Sequence, residues 1–300
     1  MLLSLLVLVP SGAIVAEAEI IELPLDMKEG KKQAIAPLKE GYLSDLEYED
    51  PSIHVVIEKG RLEEWQTNYI TVRVKIANAT QLRSSFMGSY MNPYEEAGTK
   101  LAKDVKAVLA ITGDSFYKHT NVGLALRQGK LYRNKCDKTW PDTNRRMDVL
   151  LIDDQGDLHI LPQATAAEVD SFPGVIVNGF SFGPGLVIDG EKQTDFVDME
   201  NAINKAAQRQ CIAQTGPLEY LIVYTEGPED EGSVGLTMEQ FASFVASFQD
   251  VQNAYNLDGG SMSWMVFKSG STEYAKINGN NPKRRPVADI IYFASAWQAE

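Results

Sequence analysis

Basic charge is scarce in this 300-residue chain, where 28 Lys and Arg face 41 Asp and Glu for a formal net charge of −13. A nucleic-acid binder needs a basic face for the phosphates, so the balance argues against that class. An anionic substrate then requires a few cations placed locally. Cysteine is also scarce. Cys136 and Cys211 are the only two, with no C-x-x-C pair, which excludes a zinc ribbon or a stapled miniprotein. They leave either one disulfide or two free thiols. The three histidines, His54, His119 and His159, are scattered, and no H-E-x-x-H occurs. That argues against a histidine-built zinc site. Past the N-terminus, no run is long and apolar enough to cross a bilayer.

What is present begins with "MLLSLLVLVPSGAIVAEAEI". Leu2–Val9 is an apolar h-region, and Ala16-Glu17-Ala18 fits a small-x-small cleavage site. The reading is a signal peptide over residues 1–18 and a secreted or cell-envelope protein, with an uncleaved signal anchor as the rival. Residues 19–50 are charged and poorly patterned and read as a linker. Residues 51–300 read as one domain, and a hydrophobic content of 44% supplies its core.

Within that domain "YITVRVKIA" alternates strictly, with Ile70, Val72, Val74 and Ile76 on one side. That is a half-buried strand. Four strand–turn–strand signals follow, turning at Gln128-Gly129, Asp154–Gly156, Asp189-Gly190 and Thr215–Pro217. One helix is clear in "LTMEQFASFVASFQD", where Phe241, Phe244, Val245 and Phe248 share a face and Thr237 with Gln240 forms a capping box. A shorter helix is predicted over 95–103. The expected fold is α+β, with a mixed, largely antiparallel β-sheet built from hairpins and a few packed helices.

Two motifs suggest serine chemistry. "GFSFG" is a G-x-S-x-G, but all three histidines precede Ser181, so the order Ser…Asp…His of the α/β-hydrolases is impossible. "SFYK" at Ser115–Lys118 is an S-x-x-K, accompanied by Tyr132–Asn134 and "KSG" at 268–270. The serine follows an apolar strand with no helical pattern after it, unlike the acyl-serine enzymes. What remains is acids beside glycines: Gly113-Asp114, Glu226-Gly227 and Asp258-Gly259-Gly260. Such corners suit carboxylate catalysis with backbone N–H groups aimed at an anion. Each is equally an ordinary turn.

The blocks "AITGDSF", "NGFSFGPGLVIDGE", "GLTMEQFASFVASF", "AYNLDGGSMSWMVFKSG" and "RRPVADIIYF" occur in that order. Together they resemble the phosphodiester glycosidase family, over roughly residues 53–294. The resemblance implies hydrolysis of sugar-1-phosphodiesters. It implies Asp114, Arg209 and Asp258 as catalytic residues, with Ser181, Gly259, Gly260, Ser261 and Arg285 toward the substrate. Three places depart from the family pattern: Gln210–Ala213 after Arg209, Pro228 after Glu226-Gly227, and Met262 within the glycine-serine run. Met262 and Trp264 are expected to narrow the pocket.

These residue types suit the chemistry. Cleaving a glycosyl–phosphate bond builds positive charge on the ring and negative charge on the phosphate. Arg209 can hold two phosphate oxygens, glycine N–H groups can approach without a Cβ, and Asp258 or Asp114 can serve as base, nucleophile or ring stabiliser. A divalent cation held by these acids is an open alternative. The expected partner is a phosphorylated glycan. The competing reading is a non-catalytic glycan- or phosphate-binding protein on the same fold.

Overall fold

Alternating apolar residues and tight turns build three large sheets and two two-stranded ribbons in the computed structural model, which describes residues 18–25, 35–118, 120–140, 143–197, 202–268, 273–281 and 283–299. The proposed signal segment, apart from its last residue, lies outside them, as do His119 and Ser269-Gly270. All four expected hairpins form. The turn residues explain why: Gln128 (φ 51°) and Gly129 (φ 78°), then Asp189 (φ 50°) and Gly190 (φ 81°), take the left-handed conformations that tight hairpins require. Every strand pairing among the described residues is antiparallel. The fold is therefore mainly β, not α+β with a mixed sheet. The helices are short: α1 (Gly98–Asp104), α2 (Ala166–Asp170) and α3 (Met238–Ala246).

The largest sheet has nine strands, with Arg209–Gly216, Glu219–Thr225, Thr67–Ile76 and Ile53–Leu62 side by side in its centre. A five-stranded middle sheet includes Gly123–Arg127, Lys130–Lys135 and Ile176–Phe180. A five-stranded C-terminal sheet includes Leu109–Thr112, Asp289–Phe293 and Met265–Lys268. One face of each sheet meets a common core, to which Val72 and Ile222, Leu150 and Phe180, and Ile111 and Phe293 contribute. The opposite face of each is covered by one helix. Phe241 and Val245 of α3 pack on Leu221 and Val223, Leu101 of α1 on Ala110 and Ile290, and Val169 of α2 on Val149 and Leu151. The α3 capping box forms as expected, with the Thr237 and Gln240 N–H groups each donating to the other's side chain.

The segment read as linker is partly sheet. Tyr42–Ser44 and Glu47–Asp50 extend the nine-stranded sheet along Ile53–Leu62. Its anchor is Tyr48, fully buried, whose hydroxyl donates to Asp50 Oδ2 at 2.7 Å. A single buried aromatic among acids leaves no periodic signal. Cys136 and Cys211 are separate buried free thiols. Among the described residues, no helix is long and apolar enough to cross a membrane.

Ile222 is fully buried in the common core. Ile222→Ala is expected to lower stability by about 2–5 kcal/mol, read as a shift in urea midpoint at unchanged m-value.

Candidate active site

Three strands, one from each large sheet, end close together. Leu109–Thr112 runs into Gly113, Ile176–Phe180 into Ser181, and Asn253–Asn256 into Asp258. Backbone bonds stitch these ends. Leu257 N–H donates to Gln210 O at 2.8 Å, Asp258 N–H to Gly113 O at 3.1 Å, and Gly260 N–H to Gln208 O at 3.1 Å. The approach is too close for side chains. A Cβ on Gly113 would lie 2.0 Å from Asp289 Oδ2, and one on Gly259 would lie 2.6 Å from Gln208 O.

Beneath this seam lies a buried ion cluster. Arg127 comes from the middle sheet and is 2% exposed. Its Nη2 donates to Asp114 Oδ1 at 2.6 Å and to Asp289 Oδ2 at 3.4 Å. Its guanidinium carbon lies 3.9 Å from the centre of the Phe180 ring. Asp114 also accepts from the N–H groups of Phe116 (3.1 Å) and Ser181 (2.9 Å). Asp289 accepts from the N–H groups of Asp114 and Ser115, both at 3.1 Å. Two carboxylates and one guanidinium thereby fix the turn 113–116. Burial and the neighbouring Asp114 charge raise Asp289 to about 7, against the pull of Arg127.

Above the cluster opens a cavity of about 480 Å³. Its lining carries three cations, Lys118, Arg209 and Arg285, and one acid, Asp258, among the described residues. That is a local inversion of the chain's net charge of −13. Asp258 is 9% exposed and accepts a short hydrogen bond from the Ser115 hydroxyl. Burial raises its pKa above the ordinary carboxylate range, while Ser115, Lys118 and Arg285 pull it back.

Five of the eight residues expected at the site line this cavity: Arg209, Asp258, Gly259, Gly260 and Arg285. Asp114 does not; Arg127 and two backbone N–H groups occupy its oxygens. Ser181 does not either, because its hydroxyl is engaged with the backbone of Leu124. Ser261 stands behind Arg285, accepting from its Nε at 2.8 Å and its N–H at 3.0 Å. Arg209 spends much of its guanidinium on the carbonyls of Leu236, Ala202 and Lys205. The Gly260 N–H, expected to face an anion, is bonded to Gln208.

Met262 lines the cavity as expected, against Lys118. Trp264 is not in the lining; its indole N–H donates to Arg285 O at 2.8 Å and holds that arginine's backbone. Among the described residues, no cluster of three or more His, Cys, Asp or Glu is arranged to hold a metal. Asp114 is engaged by Arg127 and two N–H donors, and Asp258 by the Ser115 hydroxyl. Ser115 and Lys118 enter the cavity by a route the S-x-x-K reading did not anticipate. Ser115 (φ 53°) sits on a strained turn, not a helix.

The phosphodiester glycosidase family model matches residues 105–294. The chain belongs to that family. The model spans the ion cluster and every cavity residue named above. Among solved structures, the chain is similar to the zebrafish N-acetylglucosamine-1-phosphodiester alpha-N-acetylglucosaminidase catalytic domain auto-inhibited by its pro-peptide. The two share 17% identity over 92% of this chain and 98% of that one, with a TM-score of 0.62. A hypothetical protein from Synechocystis shares 14% identity over 80% and 62% of the two chains, with a TM-score of 0.52. At these identities the likeness is one of fold. No curated protein matches the chain.

Two outcomes follow from the ion cluster. Arg127→Met leaves two buried carboxyls without their cation and is expected to cost about 3–5 kcal/mol in urea denaturation. The raised Asp289 makes the native state hold a proton that the unfolded chain releases above about pH 4. Its contribution to stability is therefore complete below that pH and is lost as pH rises through about 7. The stability difference between wild type and Asp289→Asn should fall across this window, by at most about 1.4 kcal/mol per pH unit.

Proposed function

We propose that this chain is a secreted or envelope hydrolase that cleaves sugar-1-phosphodiester bonds in glycans. The observation that carries the reading is the cavity lining: among the described residues, one acid of raised pKa faces three cations within a chain that is otherwise acidic. Family membership supports hydrolysis of glycosyl phosphodiesters at a general level.

The geometry suggests a division of labour. Lys118 and Arg285 take the phosphate oxygens and stabilise the charge that builds as the glycosyl–oxygen bond breaks. Arg209 contributes positive field from the wall while holding the 202–205 loop in place. Asp258 faces the sugar and takes the proton of the attacking water, with Ser115 fixing its orientation. A second carboxyl at the wall is not required, because a phosphodiester leaves without protonation by a strong acid. Asp114 acts as a positioning residue. It and Asp289 hold the turn that presents Ser115 and Lys118. Gly259 permits the corner to close on Gln208, and Ser261 braces Arg285.

The test is release of free sugar from a synthetic methyl N-acetylglucosamine-1-phosphodiester. Asp258→Asn should lower kcat by at least ~100-fold with an unchanged melting temperature. Lys118→Ala and Arg285→Ala should each raise KM by roughly tenfold. Near-wild-type turnover by Asp258→Asn would remove the assignment. Tight binding of the diester by the wild type with no product over days would instead favour a glycan-binding protein.

A further inference from the structure

The turn that presents Ser115 and Lys118 to the cavity has a second side. Phe116 and Tyr117, the residues between them, line a separate groove of about 600 Å³ that no part of the mechanism uses. Its floor is aromatic. Phe116 stacks on Tyr90 with ring centres 5.3 Å apart, and Tyr90 stacks on Tyr132 at 4.7 Å. Met91 stands on the rim, 87% exposed. Phe116 is buried beneath, while half-buried Tyr90, Tyr117 and Tyr132 and exposed Met91 leave apolar surface that suits the C–H groups of a pyranose.

The polar part of the groove is cationic. Arg133 and Lys135 are in its lining, and no acid is, among the described residues. Arg133 is only 6% exposed. It donates to Phe116 O at 2.8 Å and to the Tyr90 hydroxyl at 3.3 Å. Among the described residues it has no carboxylate partner, and its buried Nε–H has no acceptor. A buried guanidinium without an anion is costly. Lys135, exposed at the mouth, reaches Thr120 O at 3.0 Å.

We propose that this groove binds an anionic pyranose, a sugar unit carrying a carboxylate or a phosphate. It lies one turn of chain from the cleavage cavity, so it is suited to a unit of the same glycan. That last assignment rests on the glycosidase reading, whereas the binding itself does not.

Calorimetric titration tests it with trigalacturonate as the carboxylated probe, glucose 6-phosphate as the phosphorylated probe and maltotriose as the neutral control. Wild type should bind at least one anionic probe about tenfold or more tighter than maltotriose, and which one identifies the anion. Lys135→Glu, on an exposed side chain, should weaken that binding by about tenfold or more. Arg285→Ala, in the other cavity, should leave it within about twofold. Arg133→Gln should weaken it as well; if that variant does not fold, Lys135→Glu decides alone. Equal affinity of Lys135→Glu and wild type, equal binding of maltotriose, or a loss in Arg285→Ala matching that in Lys135→Glu would overturn the proposal. Hydrolysis of the short methyl diester should be unchanged in Lys135→Glu. If that diester is never hydrolysed while Lys135-dependent binding persists, the groove stands and only its link to a cleaved glycan falls.

Discussion

Arg127 rises from the middle sheet, and its guanidinium crosses to two carboxylates, one in a C-terminal-sheet strand and one in the loop that leaves its neighbour. Everything at the cavity depends on that crossing. Asp289 can stay buried among like charge because Arg127 is beside it, and Asp289 in turn receives the backbone of Asp114 and Ser115. Ser115 then holds Asp258. A chain of three contacts thus connects the packing of two sheets to the orientation of the cavity acid Asp258. Its low-dielectric setting is what makes each link strong and each deletion expensive.

This arrangement separates support from chemistry. Of the two acids that stand beside glycines at the seam, Asp114 is consumed by support and Asp258 is left to line the cavity. The difference is topological. Asp114 follows a strand whose end abuts the middle sheet, so its oxygens take the guanidinium of Arg127 and the N–H of Ser181 from that sheet and the N–H of Phe116 from its own turn. Asp258 follows a strand end at the cavity wall, where the Ser115 hydroxyl donates to it. Both look alike as an acid in a glycine-rich bend, yet their surroundings assign them different work.

Three of the four hairpins were legible in the sequence because Gly129, Gly156 and Gly190 stand where their turns need positive φ, and α3 because its apolar face and capping box coincide. The Asp258-Gly259-Gly260 corner was legible for a related reason: glycine is needed where Gln208 O comes within reach of a Cβ. Arg127 was not. In "LALRQGKLYR" it occupies the place of any solvent-facing residue of an amphipathic hairpin, and nothing local reveals that a second sheet covers that face. Its partner Asp289 lies far along the chain. The strand holding Tyr48 was hidden likewise, since its burial comes from pairing with a longer strand. Lys118 falls within a motif that suggests other chemistry; the strained turn at Ser115, not a helix, sets its direction.

The two thiols add a consequence of another kind. Cys136 and Cys211 are buried apart from each other, in the clusters behind the middle and nine-stranded sheets. No covalent bond between side chains closes the fold. The native state can accordingly be reached in a reducing or an oxidising milieu, without an oxidoreductase, and a reductant has nothing in it to sever.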